Sequence, residues 1–264
     1  MTHSFKITVA PNGARRTKAD HPALPMTTDE IAATAKACFN AGADGIHLHV
    51  RDDAGVHSLD AGRYRDAMAA IAQLVPQMDI QITTEAAGIY DASAQYQCLT
   101  QIIPKAASVS VREMARDMDI AKRLYAFGAE AQIDVQHILY NADDIAQLAH
   151  WMEQGIVPPD MKSAIFVLGQ YSPQILAQPG DLQSYLNASE MLDLDWTICA
   201  FGQNELACAR AGMQAGGNLR IGFENNLHRP DGSLAKDNAD LVTLTVNEGR
   251  ALGLTPTSDL QKVS

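Results

Sequence analysis

The chain has 264 residues, of which 47% are hydrophobic and 19% charged, and carries a formal net charge of −11. This balance describes one large globular domain with a well-buried core, and the acidic excess argues against nucleic acid or an anionic membrane as the main partner. The chain opens with no leader-like pairing of charged and apolar segments, and no apolar run reaches membrane-spanning length, so the expectation is a cytoplasmic protein. Cys38, Cys98, Cys199 and Cys208 lack metal-type spacing and read as buried, reduced thiols.

In chain order, β-like runs are predicted at 5–10, 45–50, 79–84, 106–111, 130–136, 163–168, 195–200 and 218–223. Helical patterns lie between them. The first starts at Thr28-Asp29-Glu30-Ile31, with Thr27 or Thr28 as cap, and closes near Asn40-Ala41-Gly42. The others are predicted near 60–75, 92–102, 117–127, 142–154, 181–190, 204–215 and 237–252. Eight βα units in this length are the arithmetic of a (β/α)8 TIM barrel spanning the whole chain. A doubly wound sheet is the alternative, but no Gly-x-Gly-x-x-Gly follows the first strand.

A barrel gathers its chemistry at the C-terminal ends of the strands. Those ends carry Asn12, His47 and His49, Thr83-Thr84-Glu85, Arg112-Glu113, then Asp134, Gln136 and His137, and finally the stretch from Arg220 to Asn226. Strand alternation turns His47 and His49 to one face, where they can grip a single metal ion. The alternative is a pair of histidines hydrogen-bonded inside the barrel. Arg220, Gly222 and Glu224 also share a face, and barrel closure brings Glu224 over the histidines. Two imidazoles and a carboxylate make a three-ligand zinc site with an open position, suited to polarising a carbonyl. Otherwise Glu224 would pair with Arg220 or Arg51. Gly169 and Gly202 end strands in turns whose backbone N–H groups could bind phosphate, and Asn204 reads as a helix cap.

The block from Thr8 to Thr27, the strand His47-Leu48-His49-Val50-Arg51-Asp52 and the segment Arg220-Ile221-Gly222-Phe223-Glu224-Asn225-Asn226 resemble the β-keto acid cleavage enzymes, over about residues 5–250. The resemblance implies a TIM barrel, zinc at His47, His49 and Glu224, and a homo-oligomer. It also implies condensation of a β-keto acid with acetyl-CoA, giving acetoacetate and a new acyl-CoA. Arg220 matches the family's strand-eight arginine, which works beside the base and could hold a carboxylate or oxyanion; a salt bridge inside the barrel is the other reading. Many members place an aspartate base directly after the zinc glutamate, where this chain has Asn225. An amide cannot take a proton at neutral pH, so the role passes to Glu85 as first candidate, followed by Asp134 and Glu113. Glu85 could equally be a loop carboxylate or a partner of Arg112.

A second departure concerns the substrate. The member acting on an amino-bearing keto acid has a glutamate after strand one, where this chain has Asn12. Arg15, Arg16, Lys18 and Arg112 suit an anionic or neutral polar side chain instead. The Arg15–Lys18 run could equally meet CoA phosphates or be a solvated loop. Asn12, Thr84, Ser108, Arg112 and Asn225 are the expected substrate contacts; Ser108 and Ser110 share a face, whereas Thr83 and Thr84 do not. His137 is kept as a substrate contact or a rim histidine bonded to a loop carbonyl, while His3, His21, His57, His150 and His228 read as loop or surface residues. Two rival functions remain: a zinc hydrolase, disfavoured because its histidine pair belongs on strand one, and a non-catalytic metal- or metabolite-binding barrel, which Asn225 keeps open.

Overall fold

A computed structural model describes residues 4–261, so His3 lies outside the described residues. The barrel strands are β1 (Ile7–Val9), β2 (Gly45–Leu48), β3 (Asp79–Thr83), β4 (Ala106–Ser110), β5 (Asp134–Leu139), β6 (Ser163–Leu168), β7 (Asp195–Ala200) and β8 (Asn218–Ile221). Each pairs in parallel with its neighbours, and β8 joins β1 to close the ring. The helices that follow them in turn are α1 (Thr28–Ala41), α2 (Ala61–Leu74), α3 (Ala92–Ile102), α4 (Met118–Glu130), α5 (Ala142–Glu153), α6 (Leu182–Ser189), α7 (Glu205–Gln214) and α8 (Asn238–Ala251). The architecture is therefore a (β/α)8 TIM barrel.

Local chemistry explains why the helices start where they do. Thr27 accepts the Glu30 N–H while Glu30 reaches back to the Thr27 N–H, a reciprocal cap that frees no donor to compete with the first turn. Asp60, Asp91, Asp117, Asn141 and Asp237 cap α2, α3, α4, α5 and α8 through the side chain alone, each accepting a backbone N–H of the first turn. Most of the apolar core lies between strands and helices, where Ile46, Ile82, Val109, Phe166 and Leu219 belong to one continuous cluster. Inside the barrel the apolar packing is small, with Ile138, Ile165, Val167 and Cys199 on the β5–β7 side. The rest of the interior is left to polar groups.

Four strands differ from expectation, the eighth ending at Ile221 rather than at 223, so that Glu224 lies in the turn beyond it. The first splits: Ser4–Phe5 pairs with Thr255–Pro256, and only Ile7–Val9 enters the barrel. The second stops at Leu48, after which Val50–Arg51 forms a small hairpin with His57–Ser58. The fifth is displaced, from the predicted 130–136 to Asp134–Leu139. Glu130 still belongs to α4, and Gln132 turns the chain with φ 54°. Because β5 is buried on both faces, its polar and apolar residues do not mark inside and outside.

That displacement moves several candidates. Asp134 begins β5, at the end of the barrel opposite the expected site, and is exposed there. Asp134 is thereby removed as a base. His137 faces the helix layer and is fully buried, with Nδ1 3.3 Å from the Tyr125 hydroxyl and Nε2 3.0 Å from the Met161 carbonyl. Burial lowers its pKa to about 4, and it meets no cleft. Among the described residues, no helix is long and apolar enough to cross a membrane. All four cysteines are free and buried.

Candidate metal and substrate site

At the C-terminal mouth of the barrel, β2 and the turn after β8 bring His47, His49 and Glu224 together. The two Nε2 atoms lie 3.1 Å apart, and Glu224 Oε2 is 3.4 Å from His49 Nε2 and 3.7 Å from His47 Nε2. Both imidazoles are buried, and Glu224 is nearly so. One donor atom from each falls within 4.8 Å of the others. Glu224 Oε2 is buried without a hydrogen-bond partner. A lone carboxylate oxygen facing two imidazole nitrogens is a poor arrangement for the protein alone and a fitting one for a divalent cation.

The surroundings set the charge states. Gln81 Oε1, an acceptor, lies 2.8 Å from His47 Nδ1, so Nδ1 carries the hydrogen and the Nε2 lone pair faces the centre. The Gln81 amide donates to Gln136 (3.2 Å), and the Gln136 amide donates to Thr197 (3.3 Å). This chain across the barrel interior orients His47. Burial, reinforced by the Arg220 charge, lowers the His47 pKa to about 3, leaving it neutral and able to ligate. Burial works against ionised Glu224, yet the Arg220 guanidinium holds its carboxyl well below the usual range. Arg220 itself reaches Glu224 Oε1 at 3.4 Å, His47 Nε2 at 3.4 Å and the Cys199 sulfur at 3.3 Å.

The turn presenting Glu224 depends on Gly222. Its φ is +141°, and a Cβ there would lie 2.5 Å from the Ala10 carbonyl oxygen. Gly222→Ala is expected to cost about 3 kcal/mol, from backbone strain and overpacking together. Denaturant midpoints check this, and a metal titration of the folded fraction should show weakened binding, since Glu224 is displaced with the turn.

Glu205, at the start of α7, holds the same turn. Its Oε1 accepts from the Gly222 N–H (3.1 Å) and the Asn225 amide (3.4 Å), and its Oε2 from the Asn226 amide (3.4 Å). Burial pushes this carboxyl up to about 8, despite those donors. A carboxyl raised in the folded state contributes stability that is complete below its ordinary value of 4.5 and lost as pH rises through about 8. Glu205→Gln cannot ionise, so its melting temperature should exceed that of the wild type by about 3 °C or more at pH 9, with no such gain at pH 5. Equal differences at both pH values would show that Glu205 does not titrate in this window.

The expected substrate contacts divide. Asn225 is fully buried, its amide committed to Glu205 and to the Arg220 carbonyl (3.1 Å), so it braces the turn. Asn12 donates to the carbonyls of Pro25 and His49 and supports the metal-site backbone. Thr84 is turned into the wall, where its hydroxyl donates to the Ser108 carbonyl; Thr83, not Thr84, lines the cleft. Ser108 is fully buried, its hydroxyl 3.4 Å from that of Thr83. Arg112 lines the cleft but is paired with Asp144 at 2.8 Å and lies over the Tyr140 ring. Glu113 is turned onto the Ala86 N–H and the Gln95 amide. Gly202 gives its N–H to the Asn225 carbonyl and Gln170 gives its own to Ile175, which removes two of the amides expected for phosphate; Asn204 stands at the N-cap position of α7 as expected, but its side chain donates to the Ala177 carbonyl and makes no capping bond.

Glu85 has the position expected of a reactive carboxylate. Its Oε2 is 4.0 Å from His49 Nε2, its Oε1 is 3.5 Å from Arg15, and both face a cleft of about 270 Å³. The Glu85 carbonyl is bonded by His57, which is buried with its ring centre 5.1 Å from that of His49. His57 is thus no surface residue; neither is His21, which is buried against Phe223 and bonded to the Ala235 carbonyl.

Comparison with known proteins matches this arrangement to one family. The sequence model of the beta-keto acid cleavage enzymes fits residues 5–261. A 3-keto-5-aminohexanoate cleavage enzyme of Fusobacterium nucleatum is 31% identical over 266 residues, covering 96% of this chain and 94% of that protein. A 3-oxoadipate:acetyl-CoA acetyltransferase of Cupriavidus necator is 28% identical over 259 residues, covering 92% of this chain and 87% of that one. Among solved structures, ObcA in a binary complex with oxaloacetate aligns with a TM-score of 0.69 at 14% identity, a likeness of fold alone. The alignment covers 91% of this chain and 66% of that of ObcA, just under two thirds of its length. On the full-length family match, the chain belongs to the beta-keto acid cleavage enzymes.

Proposed function

We propose that this enzyme condenses a β-keto acid with acetyl-CoA, releasing acetoacetate and the CoA thioester of the shortened acid, with zinc held by His47, His49 and Glu224. The observation that carries the reading is the unpartnered Glu224 Oε2 facing two imidazole nitrogens at the base of a cleft. The names of the Fusobacterium and Cupriavidus relatives support the reaction class. A divalent metal bound there supplies Lewis acidity, which polarises the keto group and acidifies the carbon between ketone and carboxylate.

The protein's own groups do the rest. Arg220 offers its guanidinium to the substrate carboxylate or a developing oxyanion. Glu85 takes the proton from C2. The C2 electron pair forms a bond to the acetyl carbonyl carbon, and the CoA thiolate leaves. The thiolate then adds to the original keto carbon. The bond between that carbon and C2 breaks, its electron pair returns to C2, and the Glu85 proton goes back to C2 to complete acetoacetate. One base thus serves both halves, and no proton is gained or lost overall. A homo-oligomer belongs to the same reading and is checked by light scattering.

The experiment incubates metal-analysed protein with acetyl-CoA and β-keto acids bearing neutral, anionic and cationic ends, following acetoacetate and acyl-CoA by mass spectrometry. Chelator-sensitive formation of both products supports the reaction. Silence across the panel with one zinc per chain would point to a non-catalytic metal- or metabolite-binding barrel.

A further inference from the structure

The arginines around the cleft differ in how their donors are used. Arg220 is engaged by Glu224 and Cys199. Arg112 is held by Asp144 and lies over Tyr140. Arg16 donates to the carbonyls of Phe223 and Asn225. Arg51 is buried and donates to the carbonyls of Asn12, Gly13, Arg16 and Gly55. Arg15 is the exception. Its guanidinium meets one carboxylate, Glu85, at 3.5 Å, its side chain is 47% exposed, and it lines the cleft with most of its N–H donors unspent.

We propose that Arg15 is a specificity-determining residue that selects β-keto acids whose acyl chain ends in a carboxylate. The inference rests on the reaction proposed above. Glu85 spans the interval, with one oxygen 4.0 Å from His49 Nε2 and the other 3.5 Å from Arg15. Arg15 therefore stands one carboxylate's width beyond the metal ligands, within reach of a short acyl chain whose keto-acid head lies at His47, His49 and Arg220. A planar guanidinium with free donors takes a carboxylate in a bidentate, charge-assisted pair. A cationic end would face Arg15 and find no unengaged carboxylate, since Glu113 is turned into the wall and Asn12 is an amide. When the substrate's distal carboxylate takes Arg15, the Glu85 carboxylate is released from that pair and left to act on C2.

The test uses β-keto acids matched in length and ending in carboxylate, methyl or ammonium, with the wild type, Arg15→Gln, Arg15→Lys and Arg112→Gln. The wild type should favour the carboxylate-ended acid over the methyl-ended one by about tenfold or more in kcat/KM. Arg15→Gln should raise KM for that acid about ten- to hundredfold and collapse the preference; Arg15→Lys should restore part of it, and Arg112→Gln should leave the ranking in place. The inference is overturned if the wild type prefers another end, if Arg15→Gln lowers all acids alike or acts chiefly on the KM of acetyl-CoA, or if Arg112→Gln removes the preference. If no acid turns over, the reaction fails but the inference is still read by calorimetry. The wild type should then bind the carboxylate-ended acid more tightly than the methyl-ended one, and Arg15→Gln should abolish the difference; equal binding by both proteins sinks it.

Discussion

Replacing His49 with alanine is expected to leave purified protein with less than about a tenth of the wild-type metal content and no measurable turnover. Only His47 and Glu224 would remain of the three donors, and two donors seldom hold a divalent ion against solvent. The fold should survive. β2 is held by ladders to β1 and β3, and the amide of Asn12 grips the His49 backbone carbonyl, which the substitution leaves in place. The loss of a buried imidazole costs about 1–3 kcal/mol, which a domain of this size can lose without unfolding. Elemental analysis alongside a melting curve decides the matter: full metal stoichiometry in a folded His49→Ala protein would remove the proposed centre.

Glu85→Gln carries the second large effect, a fall in kcat of about a hundredfold or more with metal content unchanged. Glutamine keeps the size of the side chain and can still accept from Arg15, while the Glu85 backbone carbonyl stays bonded to His57. Only the ability to hold the C2 proton is lost. Exchange of that proton with deuterated solvent gives a direct readout, because it reports deprotonation before any bond to acetyl-CoA forms. Exchange and turnover should fall together. Turnover at the wild-type rate would assign the base elsewhere, and among the named alternatives Glu113 alone remains near the cleft, since Asp134 lies at the opposite end of the barrel.

The barrel was legible because its helices announce their starts. The Thr27–Glu30 box and the aspartates before α2, α3, α4 and α8 set boundaries within a residue or so of those predicted. The convergence of His47, His49 and Glu224 was legible from the order of the strands and ring closure, although the turn at Gly222, rather than strand alternation, is what presents Glu224. What escaped was the support behind them. Gln81 and Thr197 look unremarkable in sequence and Gln136 reads as a rim residue, whereas it lies within β5; only the barrel's curvature makes neighbours of residues so distant along the chain. Glu205 read as the first residue of a helix, and nothing local reveals that its carboxyl turns inward to hold Gly222, Asn225 and Asn226. β5 was misplaced because Glu130-Ala131-Gln132-Ile133-Asp134 alternates like a half-exposed strand, whereas the true strand is buried on both faces. His57 passed for a loop residue because the hairpin that folds it against His49 has strands of two residues each, too short for any periodicity.

Arg51 separates the shape of the first loop from its chemistry. A single buried guanidinium fixes the loop through the backbone oxygens of Asn12, Gly13 and Arg16, atoms that every residue type possesses. The side chain at position 15 is therefore free to vary while the path of the chain stays fixed, whereas Arg16 is tied to the turn that presents Glu224 through the carbonyls of Phe223 and Asn225. Divergence within such a scaffold can explore new substrates one substitution at a time, each trial leaving the metal ligands undisturbed. The clamp makes selectivity an interchangeable part.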